Sequence, residues 1–133
     1  MCVFCKIVNK EFSSYKIYET NNVLAILDIS QATYGHTLVM PKIHVENIFE
    51  IEDDLLQEIY SVVGTICKHY KKVLPNIKGI NLLNNNGEKA GQTVNHYHVH
   101  IIPRYNDDDL LDMKFTDHSK LLNLQEIENL LKL

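Results

Sequence analysis

Three histidines within five residues, His96-Tyr97-His98-Val99-His100, constrain this chain more than any other feature. Their alternation with Tyr97 and Val99, followed by Ile101 and Ile102, predicts a β-strand over 97–102. Side chains alternate on a strand, so one face would carry all three imidazoles at intervals of roughly 6–7 Å. Such a row places the residue most used for acid–base chemistry and metal ligation side by side. A single buried histidine is more often a satisfied core residue, but three on one face call for another reading. Before the strand runs Asn84-Asn85-Asn86-Gly87-Glu88-Lys89-Ala90-Gly91-Gln92-Thr93, polar and rich in turn formers. Backbone N–H groups of such a loop, with the Thr93 hydroxyl, can form a concavity for an anion. An anion site beside a histidine row points to phosphate chemistry.

The rest of the chain suggests a frame for this strand. Its length of 133 residues, 45% of them apolar, predicts one domain over 1–133 with a sizeable core. The net charge is −4 and no basic block stands out, so no nucleic-acid partner is expected. No apolar run approaches the ~18 residues of a membrane span, and no signal-peptide pattern follows Met1. A cytoplasmic protein with reduced thiols is expected, and its cysteine count of three agrees. Residues 2–9 read as a short helix or turn, and 45–49 as a turn of helix. Strands are expected at 15–19, 23–28, 36–41, 79–84 and 97–102. The longest periodic stretch, 53–73, repeats apolar residues at helical spacing from Leu55 to Val73. Asp53 and Asp54 suit its start, Lys68, Lys71 and Lys72 its end, and Pro75 blocks its continuation. An amphipathic helix closes the chain at about 120–132. The order β-β-β-α-β-β-α predicts an α+β fold with an antiparallel sheet.

Three blocks now carry a family resemblance. His96 to Ile102 matches the motif His-φ-His-φ-His-φ-φ, with φ apolar, if Tyr97 counts as apolar. Asp28-Ile29 with Gly35-His36-Thr37-Leu38-Val39-Met40-Pro41-Lys42-Ile43-His44 forms a second block, and Cys2-Val3-Phe4-Cys5-Lys6-Ile7 a third. In this order they resemble the histidine triad (HIT) family of nucleotide hydrolases and transferases, in a bacterial-type variant with an N-terminal Cys-x-x-Cys. The match runs from Cys2 to about Tyr105, and 106–133 is an unmatched C-terminal extension. The resemblance implies a five-stranded antiparallel sheet with one long helix and a C-terminal helix, and a homodimer whose sheets join. It implies His98 as nucleophile, forming a covalent nucleotidyl intermediate that water hydrolyses. His100 would contact the α-phosphate, His96 would complete the triad, and His36 would support it from behind. Asp28 would hold the ribose hydroxyls and Ile29 the base. Asn85, Gly91, Gln92 and Thr93 would contact ribose or phosphate.

The implied substrate is a purine nucleotide cleaved at its α-phosphate. Nucleoside 5′-monophosphoramidate hydrolysis, releasing AMP or GMP from an amine, is the best-matched subtype. Dinucleoside polyphosphate hydrolysis is the alternative, and a transferase would share the intermediate. A nucleotide-sensing interaction module with weak catalysis is a reading from another class, against which intact His98, His100 and Thr93 argue. A metal binder using all three strand histidines has poor geometry, because side chains so spaced on a flat strand do not converge.

Cys2 and Cys5 have the spacing at which two thiolates reach one metal. Some branches of the family with this pair use the positions of His44 and His96 to complete a zinc site. Four protein ligands would make that zinc structural, holding the N-terminus to the sheet. A redox pair, a disulfide or plain N-terminal residues stand beside this reading, although no thioredoxin-like context follows the pair. Asp28 and Asn85 also suit turns, Ile29 a core, and Cys67 a small buried hydrophobe. The chain departs from many relatives in having Gln31 and Tyr34 where those carry prolines. A looser loop is expected there, with Tyr34 narrowing or lining the pocket. No tryptophan is present to reach a partner's site.

Overall fold

The computed structural model describes residues 2–106, Asp109 and residues 114–133. Asp107 and Asp108 lie outside the described residues. The elements are α1 (Val3–Val8), β1 (Lys16–Glu19), β2 (Val23–Leu27), β3 (Thr37–Pro41), α2 (Asp53–Val73), β4 (Gly79–Leu83), β5 (Val99–Arg104) and α3 (Leu124–Leu131). Short 3-10 turns stand at Glu88–Ala90 and Ser119–Leu121. The five strands form one sheet in the order β1-β2-β3-β5-β4, and each neighbouring pair is antiparallel. The expected α+β architecture is borne out.

The central strands are buried on both faces, and period two sorts their residues. Val23, Ala25, Val39, Val99 and Ile101 face α2. Leu24, Ile26, Leu38 and Met40 face the other way, against Phe4 of α1. Helix α2 covers its face through Ile59, Val62, Val63, Ile66 and Tyr70, spaced for one side of a helix. The Tyr70 hydroxyl pairs with the Thr37 hydroxyl under the sheet. Pro75 holds Leu74 extended at the C-cap, so α2 ends where the sequence predicts.

The same parity places chemistry on the α1 face. Asp28 continues β2 in phase with Leu24 and Ile26, and His36 precedes β3 in phase with Leu38 and Met40. His100 sits opposite Leu38 in the β3–β5 register. Gly35 turns the chain into β3 at a φ of 94°. A side chain there would be strained by that φ and would stand 3.3 Å from Pro103 Cγ, so glycine is required.

Three expectations need correction. The strand begins at Val99, not at Tyr97, so only His100 of the triad lies in the ladder. Val99 pairs with Val39, and the next positions on β3 run into Pro41, which has no N–H to donate. The Tyr97 N–H goes instead to the Val45 carbonyl at 2.7 Å. Residues 45–49 form bends and turns, not a helical turn. The final helix is shorter than the periodicity suggested, Leu124–Leu131, because Asn123 caps it through the amides of Gln125 and Glu126. None of its residues is buried. Among the described residues, no helix is long and apolar enough to cross a membrane.

Candidate active site and metal centre

The three histidines divide between two clusters. His96 turns to the N-terminus, where its Nδ1 stands 3.4 Å from Cys2 Sγ and 3.5 Å from Cys5 Sγ. His44 Nδ1 lies 3.6 and 3.3 Å from the same sulfurs. These four residues form a group able to hold a metal ion. Bonds of ~2.3 Å to sulfur and ~2.0 Å to nitrogen at tetrahedral angles put sulfur and nitrogen about 3.5 Å apart, which these distances match. Helix α1 supplies the cysteines on one turn, and the Cys2 sulfur also caps it by accepting the Cys5 N–H at 3.3 Å. The sulfurs are 3.1 Å apart and unbonded.

Protonation supports the fit. His96 Nε2 donates to the Pro41 carbonyl at 2.8 Å, and a carbonyl can only accept. The proton is therefore on Nε2, and the Nδ1 lone pair faces the sulfurs. Burial lowers the His96 pKa and keeps the ring neutral, as a ligand must be. Burial, with the Cys2 sulfur adding, raises the Cys5 thiol.

The second cluster joins Asp28, His36 and His100. The Ala32 backbone N–H donates to His36 Nδ1 at 3.2 Å, so the His36 proton sits on Nε2. That Nε2 lies 2.9 Å from His100 Nδ1 and 3.6 Å from Asp28 Oδ2. His100 Nδ1 therefore accepts, and the His100 proton is on Nε2. One backbone amide thus fixes two tautomers in series. The atom that a metal would need on His36 already carries a proton, so this cluster is built for hydrogen bonding, unlike the first.

His98 lies between the clusters and is buried. Its Nδ1 donates to the His96 carbonyl at 2.7 Å, which leaves the Nε2 lone pair free. Its ring meets Phe4 edge-on, with centroids 5.0 Å apart at 84°. The His100 ring is also 5.0 Å away, at 61°. Burial lowers the pKa of His98. His100 is pushed down to about 4, by burial first and then by the neighbouring His98 and His36. Near neutral pH the site offers a nucleophilic nitrogen beside an N–H donor, both uncharged.

The depressed His100 pKa predicts a stability profile. An unfolded histidine near 6.5 binds more protons than His100 does at about 4, so acid favours unfolding in that window. This contribution is present above about pH 6.5 and is lost as pH falls towards 4. The urea midpoint is expected to drop between about pH 7 and pH 4.5, and to drop less in His100→Gln. Equal drops in both proteins would show that His100 is not held neutral.

The loop before the triad is held from within. Gln92 is buried, its Oε1 accepts the Gly87 N–H, and its Nε2 donates to the carbonyls of Glu46 and Val94. Its side chain is thus committed to the loop. Gly91 ends the 3-10 turn at a φ of 90°. Asn85 Nδ2 reaches the Gly91 carbonyl at 3.4 Å. Thr93 is exposed, and Ile29 is 88% exposed beside Asp28. The loop at 28–36 is braced, not loose. Gln31 accepts the N–H groups of Gly35 and His36 and donates to the carbonyls of Asp28 and His36. Tyr34 instead lines a cleft with Val73, Leu74, Pro75 and Tyr105 at the end of α2. Sequence reasoning missed Phe4, Gln31 and Asn84. The family blocks contained Phe4, but its packing against two histidines carries no sequence signature.

Two clusters on one sheet face, sharing the His96–His98–His100 run, are now defined. The family model for the HIT domain matches residues 9–107. The chain belongs to the HIT family.

Two curated relatives match nearly the whole length of this HIT protein. It is 46% identical over 129 residues to the Bacillus subtilis protein Hit, covering 97% of this chain and 88% of that one. It is 37% identical over 132 residues to the adenosine 5′-monophosphoramidase of Candida albicans, covering 94% of this chain and 87% of that one. The crystal structure of a HIT family protein from Bacillus anthracis matches it with a TM-score of 0.89 at 46% identity, over 97% and 91% of the two chains. A Zn-bound histidine triad family protein from Mycobacterium smegmatis matches with a TM-score of 0.79 at 36% identity, over 90% and 86%.

Proposed function

We propose that this HIT protein hydrolyses purine nucleoside 5′-monophosphoramidates, releasing AMP or GMP and an amine. The observation that carries this is the His98 tautomer. Its Nδ1–H is held by the His96 carbonyl, so Nε2 is left as a nucleophile. Nε2 attacks the α-phosphorus, a bond forms to His98, and the bond to the amine breaks. Water then cleaves the new phosphorus–nitrogen bond and restores His98. The leaving amine takes a proton from solvent, and the attacking water gives its oxygen to phosphorus and returns a proton to solvent. His100 presents its Nε2–H to the charge that grows on the phosphate oxygens. His36 fixes His100 in that form, and His96 supplies the carbonyl that orients His98.

In this reading Asp28 accepts from the ribose hydroxyls and exposed Ile29 lies against the base. Asn85, Gly91 and Thr93 face the ribose and phosphates, while Gln92 shapes their loop. Cys2, Cys5, His44 and His96 hold a structural zinc ion. Unbonded cysteine ligands suit a reducing compartment such as the cytoplasm. A homodimer is supported by the open edge of β4 and by the exposed Leu121, Leu124, Leu130 and Leu131 around α3. The whole chain, 1–133, acts as one domain. The name of the Candida albicans relative, an adenosine 5′-monophosphoramidase, supports the phosphoramidate substrate.

The test offers adenosine 5′-phosphoramidate and diadenosine tetraphosphate in parallel. AMP from the phosphoramidate is the expected result. AMP and ATP from the tetraphosphate, with the phosphoramidate left intact, would replace this reading with polyphosphate hydrolysis.

A further inference from the structure

His98 lies one residue before the β5 ladder begins, so a neighbouring strand does not fix its backbone. A side chain does. Asn84, the residue after β4, donates from Nδ2 to the His98 carbonyl at 2.8 Å. Asn84 Oδ1 in turn accepts from Asn86 Nδ2 at 2.7 Å. Asn86 Oδ1 accepts the Ile48 N–H, also at 2.7 Å. The three bonds run head to tail, and every donor points towards His98. Such chains polarise one another and strengthen together.

The origin of the chain has consequences too. Ile48 follows His44 in a segment stitched to the catalytic loop at two further points. The Tyr97 N–H donates to the Val45 carbonyl, and Gln92 Nε2 to the Glu46 carbonyl, each at 2.7 Å. The asparagine chain therefore transfers the position of a well-anchored segment to the His98 main chain. The His98 ring is separately fixed through its Nδ1 and the His96 carbonyl. Both the backbone and the ring orientation are thus set by named partners.

We infer that Asn84 is a positioning residue for His98, holding the nucleophile's main chain so that Nε2 meets the phosphorus in line. This rests on the reading of His98 as nucleophile. A residue that only ends β4 would affect stability and leave the chemical step alone. A positioning residue acts on kcat, because a displacement of about 1 Å at the reacting atom costs on the order of 100-fold.

The experiment compares Asn84→Ala and Asn84→Asp with the parent protein and His98→Ala, using adenosine 5′-phosphoramidate. Asn84→Asp keeps the shape and the bond from Asn86 and replaces the donor with a carboxylate oxygen that faces the His98 carbonyl. Both Asn84 variants are expected to lose about 10- to 100-fold in kcat, with AMP affinity within about threefold. Nitrogen NMR of the His98 ring is expected to keep its Nδ1–H form, which the His96 carbonyl holds separately, so that a loss in kcat with unchanged AMP affinity reports the position of the main chain. Asn86→Ala, which loosens the anchor and leaves the last bond, is expected to fall in between. A folded Asn84 variant with kcat within about twofold overturns the inference. Failure of both Asn84 variants to fold also overturns it, since the residue would then be structural. Turnover remaining in His98→Ala contradicts the proposed function itself, whereas a dead His98→Ala beside a fully active Asn84→Ala contradicts only the positioning role.

Discussion

His98→Ala is expected to abolish turnover of adenosine 5′-phosphoramidate, with a loss of at least about 10³-fold in kcat, while AMP still binds. In the proposed reaction the imidazole supplies the attacking nitrogen, and nothing adjacent among the described residues replaces it. His96 Nε2 is tied to the Pro41 carbonyl and its Nδ1 faces two sulfurs. His100 Nδ1 is filled by His36, and its Nε2 carries a proton. Neither neighbour has a free lone pair in the site. AMP binding survives because Asp28, Ile29 and the loop from Asn85 to Thr93 are held by contacts that do not involve the His98 ring. Removing the ring opens space against Phe4, which favours slightly looser product binding but no alternative chemistry. Kinetics with AMP titration by calorimetry checks both parts. A near-normal rate in a folded His98→Ala protein would rule out the covalent route.

The second large effect concerns the metal centre. The Cys2→Ser, Cys5→Ser double variant is expected to lose bound zinc and to melt about 10 °C lower, a loss of roughly 2–3 kcal/mol. Helix α1 has six residues, too short to be stable without tertiary support. Phe4 buries its ring against Leu24, Ile26, Leu38 and Met40, and the metal ligands flank it in sequence. Releasing the cysteines leaves Phe4 as the main tie between α1 and the sheet. Some activity is expected to remain, with kcat down by less than about 10-fold, because the bonds that fix His98, His100 and His36 do not pass through the cysteines. Metal analysis, melting and kinetics on one preparation separate these statements. Complete loss of chemistry in a folded double variant would show that the ion has a catalytic part.

Much of this architecture was legible from residue patterns. The long helix could be read to the residue, since its ends carry Asp53 and Asp54, then Lys71, Lys72 and Pro75. The sheet followed from alternating segments, and period two assigned the three triad imidazoles to one face. The Cys-x-x-Cys pair and two histidines marked the metal cluster by spacing and resemblance. What escaped was set by tertiary hydrogen bonds. The triad reads as a strand, yet Pro41 cannot continue the ladder, so His96 turns away to the cysteines and His98 stands apart. Gln31 reads as a loosened loop, yet its amide makes four bonds that brace that loop. Asn84 reads as one turn former among three asparagines, and only the fold shows which of them reaches His98. Side-chain amides adopt such roles without any periodic signal, so the chain alone does not reveal them.

The proposed reaction passes through a bond between His98 Nε2 and the nucleotide. Rapid acid-free quenching of the protein with adenosine 5′-phosphoramidate, followed by peptide mass spectrometry, tests it most directly. An adenylyl group is expected on the peptide carrying His98, formed within one turnover and absent from His98→Ala. Substrate turning over with no adduct at any time, in a protein where slowed hydrolysis would let one accumulate, would contradict it and favour direct attack by water.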